Sequence, residues 1–295
     1  VILPQSLREG VIAWKPDGQD WADSLPVLVG HCRELWQLEI GEPFEGGCTA
    51  LVAPAQRADG SSCVLKLRYP DDESLHEPEA LERWAGNGAV RLLERDEMTG
   101  ALLLEHVRPG TSLRDVADID EAMALACGVL RRLWQPVEAG HPFATTQACA
   151  ADWAGEIQRQ YRALGRPFDA ALLRAAVETF ELLAAYDGES VILHQDFHRG
   201  NVLRAQREPW LAIDPKPLAG EPAFDARWLL NDLLHQEPRS PLELDDLLER
   251  LTAELSLDPE RVRLWTLARA VEDALWRYEI GDDAAEVVAL AAALV

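Results

Sequence analysis

The chain has 295 residues, 48% hydrophobic and 27% charged. That is an ordinary globular mix, with enough apolar material for one large domain or two lobes and no need of disulfide or metal staples. No apolar run approaches the roughly 18 residues of a membrane span, and VILPQSLREG at the start lacks the basic and apolar blocks of a signal peptide, so none is expected. A formal net charge of −23 argues against nucleic acid and anionic membranes as partners and favours cationic ligands, although solubility or a salt-adapted proteome produces the same charge. Cys32, Cys48, Cys63, Cys127 and Cys149 are scattered, odd in number and without a C-x-x-C pair, which predicts reduced thiols in a cytoplasm and no structural zinc.

In chain order, Ser24-Leu25-Pro26 reads as a helix start, with Val27, Leu28, His31, Leu35 and Trp36 on one side and an end before Gly41. Residues 41–69 read as β. Phe44 to Ala53 makes a strand, a turn at Gly46-Gly47 and a returning strand. Ala58 to Ser61 is a hairpin turn, and Cys63 to Leu67 is a strand with Lys66 inside an apolar run. The two glycines permit close backbone approach to a phosphate, but a plain hairpin explains them equally well. A water-facing edge strand is the usual explanation of a lysine such as Lys66.

Ser74 to Gly86 reads as a helix with Pro78 in its first turn and Leu75, Ala80, Leu81 and Trp84 apolar. Glu73, Glu77, Glu79 and Glu82 lie near it, by default as a solvated face. Two strands follow, 88–93 and 101–105, and Arg108-Pro109-Gly110 is the best boundary in the chain. It separates residues 1–104 from 111–295, with 105–110 between. After Ser112 the pattern is mainly helical: 120–134, 149–164, 169–185, 226–235 and 258–280, the last with Asp258 as cap and Pro259 at its first position.

Chemistry concentrates in Val191 to Asp214, VILHQDFHRGNVLRAQREPWLAID. Each polar group stands where an apolar run begins or ends: His194 and Asp196 after Val191-Ile192-Leu193, Asn201 before Val202-Leu203, Asp214 after Trp210 to Ile213. A hairpin after Asn201 brings Asn201 and Asp214 to one end of two paired strands. An amide oxygen and a carboxylate converging there make a hard oxygen site suited to Mg²⁺, and Asp196 nearby can orient a hydroxyl.

The spacing H-x-D-x-x-x-x-N, followed by an aspartate on the next hairpin, resembles the catalytic loop of the protein-kinase-like fold. HQDFHRGNVL and LAIDPKPLAGEPAFD are similar to the aminoglycoside phosphotransferases, above all to the streptomycin 6-kinase and hydroxyurea-kinase group. The pattern L-L-E-x-x-x-P-G-x-x-L at 103–113, the N-terminal helix and ARAVEDALWRYEIGDD extend the resemblance over nearly the whole chain.

The resemblance implies an α+β, protein-kinase-like two-lobe fold: a small β-rich N-lobe at 1–104 with a leading helix, a hinge at 105–110, and a larger, mainly helical C-lobe at 111–295. It implies ATP and Mg²⁺ as cofactors. Asp196 would orient the acceptor hydroxyl and take its proton, with His194 fixing the loop. Asn201 and Asp214 would hold Mg²⁺. Lys66, braced by Glu79 (Glu82 as second choice), would bind the α- and β-phosphates near Gly46 and Gly47. Backbone groups of Glu105 and Val107 would meet adenine, and Asp225 would support the catalytic loop. His198 stands where many protein kinases have lysine, so His198, Arg199 or Lys216 is left to neutralise the γ-phosphate. Gln195 and Pro217 stand where closer family members commonly show glycine.

Acceptor contacts are expected among Asp196, Glu221, Glu272, Asp273 and the acidic run 279–283. The expected activity is ATP-dependent phosphorylation of an aminoglycoside, streptomycin at its 6-hydroxyl, giving antibiotic resistance in the cytoplasm. Alternatives are a kinase of another small metabolite alcohol and a non-catalytic nucleotide-binding pseudokinase. The presence of Lys66, Asp196, Asn201 and Asp214 together weighs against the latter. A protein kinase is disfavoured because so few residues separate Asp214 from Asp225.

Overall fold

The computed structural model describes residues 2–234 and 241–295; the helix end expected at His235 lies outside them. The chain divides into two compact units, Val1–Gly110 with Arg204–Ile213, and Thr111–Leu203 with Asp214–Val295. The segment Arg204–Ile213 therefore belongs to the first unit, whereas the sequence division placed everything after residue 110 in the second.

In the first unit, helices α1 (Gln5–Glu9), α2 (Val11–Trp14) and α3 (Gly18–Leu35) precede strands β1 (Glu39–Ile40), β2 (Ala50–Gln56) and β3 (Ser62–Arg68). Helix α4 (Glu77–Trp84) follows, then β4 (Leu92–Asp96) and β5 (Ala101–Glu105). The strands form one antiparallel sheet in the order β1-β2-β3-β5-β4. β3 lies at its centre, with Lys66 opposite Val52 on β2 and Leu102 on β5. Lys66 is thus on a central strand, where a solvated edge lysine cannot be.

Leu65 and Leu67 point to the same face because strand side chains alternate. They pack with Leu51 against Trp21, Leu25 and Val29 of α3; each leucine so buried contributes about 1.5–3 kcal/mol. The face expected for this helix differs from the one found. Val27 and Leu35 are exposed, and Trp21, Ala22, Leu25, Val29 and Cys32 are buried. The helix starts at Gly18 and carries Pro26 in its interior, so taking that proline as a start signal rotated the apparent stripe.

The second unit contains α5 (Ile119–Leu133), α6 (Thr146–Ala163), α7 (Ala170–Ala184), β6 (Val191–Leu193), β9 (Leu218–Gly220), α8 (Ala223–Leu234), α9 (Pro241–Leu255), α10 (Pro259–Ile280) and α11 (Ala285–Ala293). β7 (Val202–Arg204) and β8 (Trp210–Ala212) form a short two-stranded hairpin. Side-chain caps start the long helices: Asp118 on α5, Thr145 on α6, Asp169 on α7 and Asp258 on α10, each satisfying backbone N–H groups that the first turn leaves open. The core is aromatic. Trp153 stacks on Phe224, and Phe224 stands edge-on to Trp265 with centroids 4.9 Å apart.

β6 and β9 pair antiparallel, Val191 with Gly220 through Leu193 with Leu218. This pairing fixes where the chain leaves for His194 and where it returns. Gly220 permits it, since a Cβ there would lie 2.0 Å from Thr146 Oγ1 of α6. All five cysteines are free thiols. Among the described residues no helix is long and apolar enough to cross a membrane.

Candidate active site

In the first unit a buried ion pair joins the sheet to α4. Lys66 Nζ donates to both carboxylate oxygens of Glu77, at 2.7 and 2.8 Å, with the lysine 4% exposed and the glutamate 0%. The expected partner, Glu79, is not used. It accepts from Arg95 at 2.8 Å and lies near His76, and Glu82 faces the same Arg95 at 3.6 Å. The reason is helical geometry: Glu77, Ala80, Leu81 and Trp84 share the buried face of α4, and a residue two positions on points about 200° away.

Gly46 and Gly47 lie in the loop before β2, with Gly46 at φ +107° and its N–H on Ser6 Oγ at 3.1 Å. A Cβ at Gly47 would meet Ala50 O at 2.8 Å. Glu105 ends β5. Its N–H donates to Arg91 O at 2.9 Å, and its carboxylate accepts from Arg207 at 2.9 and 3.0 Å. Burial pushes this carboxyl up, but the bonds from Arg207 and the Arg91 N–H outweigh burial and hold it below the usual range. Glu105, His106, Val107 and Arg108 line a pocket of about 330 Å³ together with Ser62, Ala205, Gln206 and Arg207. Every wall residue belongs to the first unit.

In the second unit the loop after β6 is held at both ends by α8. Asp225, wholly buried, accepts from His194 N at 2.9 Å, Gln195 N at 2.8 Å and Trp134 Nε1 at 3.2 Å. Burial pushes its pKa up to about 6 even against these donors. Seven residues on, two helical turns along the same face, Asp232 accepts from Arg199 N at 3.0 Å and Arg199 Nε at 2.8 Å. Arg114 joins Asp232 at 3.2 Å, and Ser112 Oγ donates to Arg199 O at 3.1 Å.

Between these anchors stand the polar residues singled out in the sequence. His194 is fully buried, its ring edge-on to Phe197, and its carbonyl accepts the Lys216 N–H at 3.0 Å. Asp196 has His198 Nε2 at 3.9 Å from Oδ1 and Lys216 Nζ at 3.5 Å from Oδ2. Gln195 has φ +66° and Asp214 φ +58°. Aspartate tolerates this left-handed region, while glutamine is strained there by about 1–2 kcal/mol, which accounts for the expectation of glycine at 195.

Asn201 Nδ2 donates to Asp196 O at 3.0 Å. That bond commits the amide nitrogen and leaves Oδ1 as the acceptor end, the end a cation requires. The oxygens of Asn201 and Asp214 are hard donors of the kind Mg²⁺ takes from a protein, usually one or two of them beside substrate phosphates and water. The residues therefore fit the ion. Among the described residues no three His, Cys, Asp or Glu side chains converge as metal ligands.

Of the acidic residues expected to meet the acceptor, Glu221 is engaged elsewhere, while Glu272 and Asp273 lie in partly exposed pairs. Glu221 is buried, with both oxygens taken by Arg261 and Trp265 Nε1, so it ties α10 to the turn after β9 and is not a groove acid. Glu272 pairs with Arg269 and Asp273 with Arg277 along α10. The sequence reading named Glu77 only as part of a solvated face, and it did not single out Asp232 or Arg114. The first two carry a periodic signal, Glu77 from Ala80, Leu81 and Trp84, and Asp232 from Asp225; Arg114 carries none.

Solved structures give the fold. Choline kinase LicA from Streptococcus pneumoniae matches with a TM-score of 0.62 and 14% identity, over 92% of this chain and 99% of that one, and LicA has also been solved with AMP. The fold is that of the kinase-like phosphotransferases, α+β with a five-stranded sheet and a helical unit. Residues 36–281 match the family model of aminoglycoside/hydroxyurea antibiotic resistance kinases. A hydroxyurea phosphotransferase of Kitasatospora aureofaciens is 42% identical over 90% of this chain and 76% of its own. A streptomycin 6-kinase of Streptomyces glaucescens is 37% identical over 98% and 95%. The chain belongs to the aminoglycoside/hydroxyurea antibiotic resistance kinase family.

Proposed function

We propose that this protein transfers the γ-phosphoryl group of ATP to the 6-hydroxyl of streptomycin, and so acts as a cytoplasmic resistance enzyme. The observation that supports it best is the loop around Asp196. Asp225 and Asp232 clamp its two ends, Asn201 is tied to the Asp196 carbonyl, and the Asp196 carboxylate is only partly covered. Phosphoryl transfer asks for little beyond such positioning and charge neutralisation.

In this reading Asp196 accepts the proton of the acceptor hydroxyl as its oxygen bonds to the γ-phosphorus and the bond from that phosphorus to the β-phosphate oxygen breaks, leaving ADP and a phosphate ester. Lys66, aimed by Glu77, donates to the α- and β-phosphates. The Val107 backbone, hydrogen-bonded to nothing among the described residues, meets adenine. Asn201 and Asp214 would hold Mg²⁺, which when bound would offset phosphate charge. Glu272 and Asp273 remain candidates for acceptor contacts.

The net charge of −23 favours a polycation such as streptomycin. The 42% identity to a hydroxyurea phosphotransferase favours a second reading, phosphorylation of the hydroxyl of hydroxyurea by the same machinery. Steady-state kinetics with both acceptors, the product located by ³¹P NMR, decides between them. An aminoglycoside acceptor gives a KM that rises with salt as the attraction is screened. A salt-independent KM with turnover on hydroxyurea alone overturns the streptomycin assignment.

A further inference from the structure

Two arginines near Asp196 are paired with a different carboxylate. Arg199 is fully buried and bound through its Nε and its backbone N–H to Asp232. Arg114 reaches the same aspartate. Its guanidinium also lies 3.3 Å from His198 Nδ1. A guanidinium can only donate, so Nδ1 is the acceptor in this contact. Both arginines are thus paired with Asp232.

Lys216, by contrast, pairs with Asp196 itself. Its backbone N–H is pinned to His194 O at 3.0 Å, which fixes where the side chain starts. Its ammonium stands 3.5 Å from Asp196 Oδ2, and the side chain is 29% exposed. A hydroxyl oriented by Asp196 presents its oxygen to the transferring phosphorus, so a cation touching that carboxylate lies within one side-chain swing of the equatorial phosphoryl oxygens. Such transfer needs a positive group on those oxygens where charge is spread over them.

We propose that Lys216 is a catalytic residue, its ammonium moving from Asp196 onto the transferring γ-phosphoryl group. This rests on the phosphotransferase reading above. It also gives the Asp214-Pro215-Lys216 run a division of labour: the aspartate for the metal, and the lysine two residues on for the phosphoryl oxygens.

The test compares the wild type with Lys216→Met and Lys216→Arg. Lys216→Met is expected to lower kcat about a hundredfold or more while the KM values for ATP and acceptor stay within about threefold, and Lys216→Arg to recover part of the loss. Calorimetric titration supplies a readout apart from turnover. Wild type should bind Mg²⁺–ADP more tightly once fluoroaluminate, a mimic of the flying phosphoryl group, is added with acceptor. Lys216→Met should bind Mg²⁺–ADP normally and lack that gain. Retention of the gain, or loss of ADP binding itself, overturns the assignment, the second because it marks a merely structural role. No gain in the wild type overturns it too. A wild type that shows the gain but turns over neither acceptor leaves Lys216 in place and overturns only the choice of acceptor.

Discussion

Lys66 and Asp196 are the principal charges of the two units, and they are held in opposite ways. Lys66 is buried on a central strand and donates two hydrogen bonds to Glu77, of 2.7 and 2.8 Å. Asp196 is partly open, its neighbours are looser at 3.5 and 3.9 Å, and its rigidity comes from the backbone of its loop. The lysine is fixed through its side-chain partner, the aspartate through the amides around it. A group that stays put through a reaction can be locked by a buried ion pair. A group that must exchange partners needs a fixed main chain and a free carboxylate.

The contrast is broken most severely at Glu77. Glu77→Gln leaves the Lys66 ammonium buried beside a neutral amide, and removing one partner of a buried pair costs about 3–5 kcal/mol; urea unfolding should show a loss of that size. Next is the pH response of Asp225. Its folded pKa of about 6 lies above the ordinary 3.8, so the folded state binds this proton more tightly than the unfolded chain. The resulting stability is present below about pH 4 and is lost as pH rises through about 6, about 3 kcal/mol in all. Asp225→Asn lacks the group, so the unfolding free energy of wild type minus that of the variant should fall across this window. A flat difference contradicts the buried carboxyl.

Asp232→Asn keeps the shape and removes the charge that holds Arg199. The expected loss is about 1–3 kcal/mol, with faster hydrogen exchange at the Arg199 amide and unchanged exchange at β6. The smallest effect belongs to Glu79→Gln. It disturbs a half-exposed pair with Arg95 and should cost about 0.5 kcal/mol or less, which sets it apart sharply from its neighbour two residues earlier.

The site was legible where polar residues interrupt apolar runs. His194, Asp196, Asn201 and Asp214 each stand at the edge of a short strand or turn, and the period of the strands put them there. The helices of the second unit were legible for a similar reason, since Asp258 and Pro259 announce α10 and Asp225 falls in the first turn of α8. Glu77 was missed because four glutamates crowd one segment, and the resemblance pointed to Glu79 where the helical face decides for Glu77. Glu221 was misassigned because its partners, Arg261 and Trp265, lie 40 and 44 residues away, beyond any local pattern. β9 spans only Leu218–Gly220, too short to show a period, and it exists because β6 offers it an edge.

The most direct measurement is acceptor-dependent ADP release by the wild type and by Asp196→Ala, each with Mg²⁺, ATP and either streptomycin or hydroxyurea, beside nucleotide binding to both proteins. The account predicts turnover that depends on one of these acceptors, a loss of at least about a hundredfold in the variant, and equal ATP binding by the two proteins. Equal turnover without the Asp196 carboxylate, or a wild type that binds no nucleotide, would contradict it.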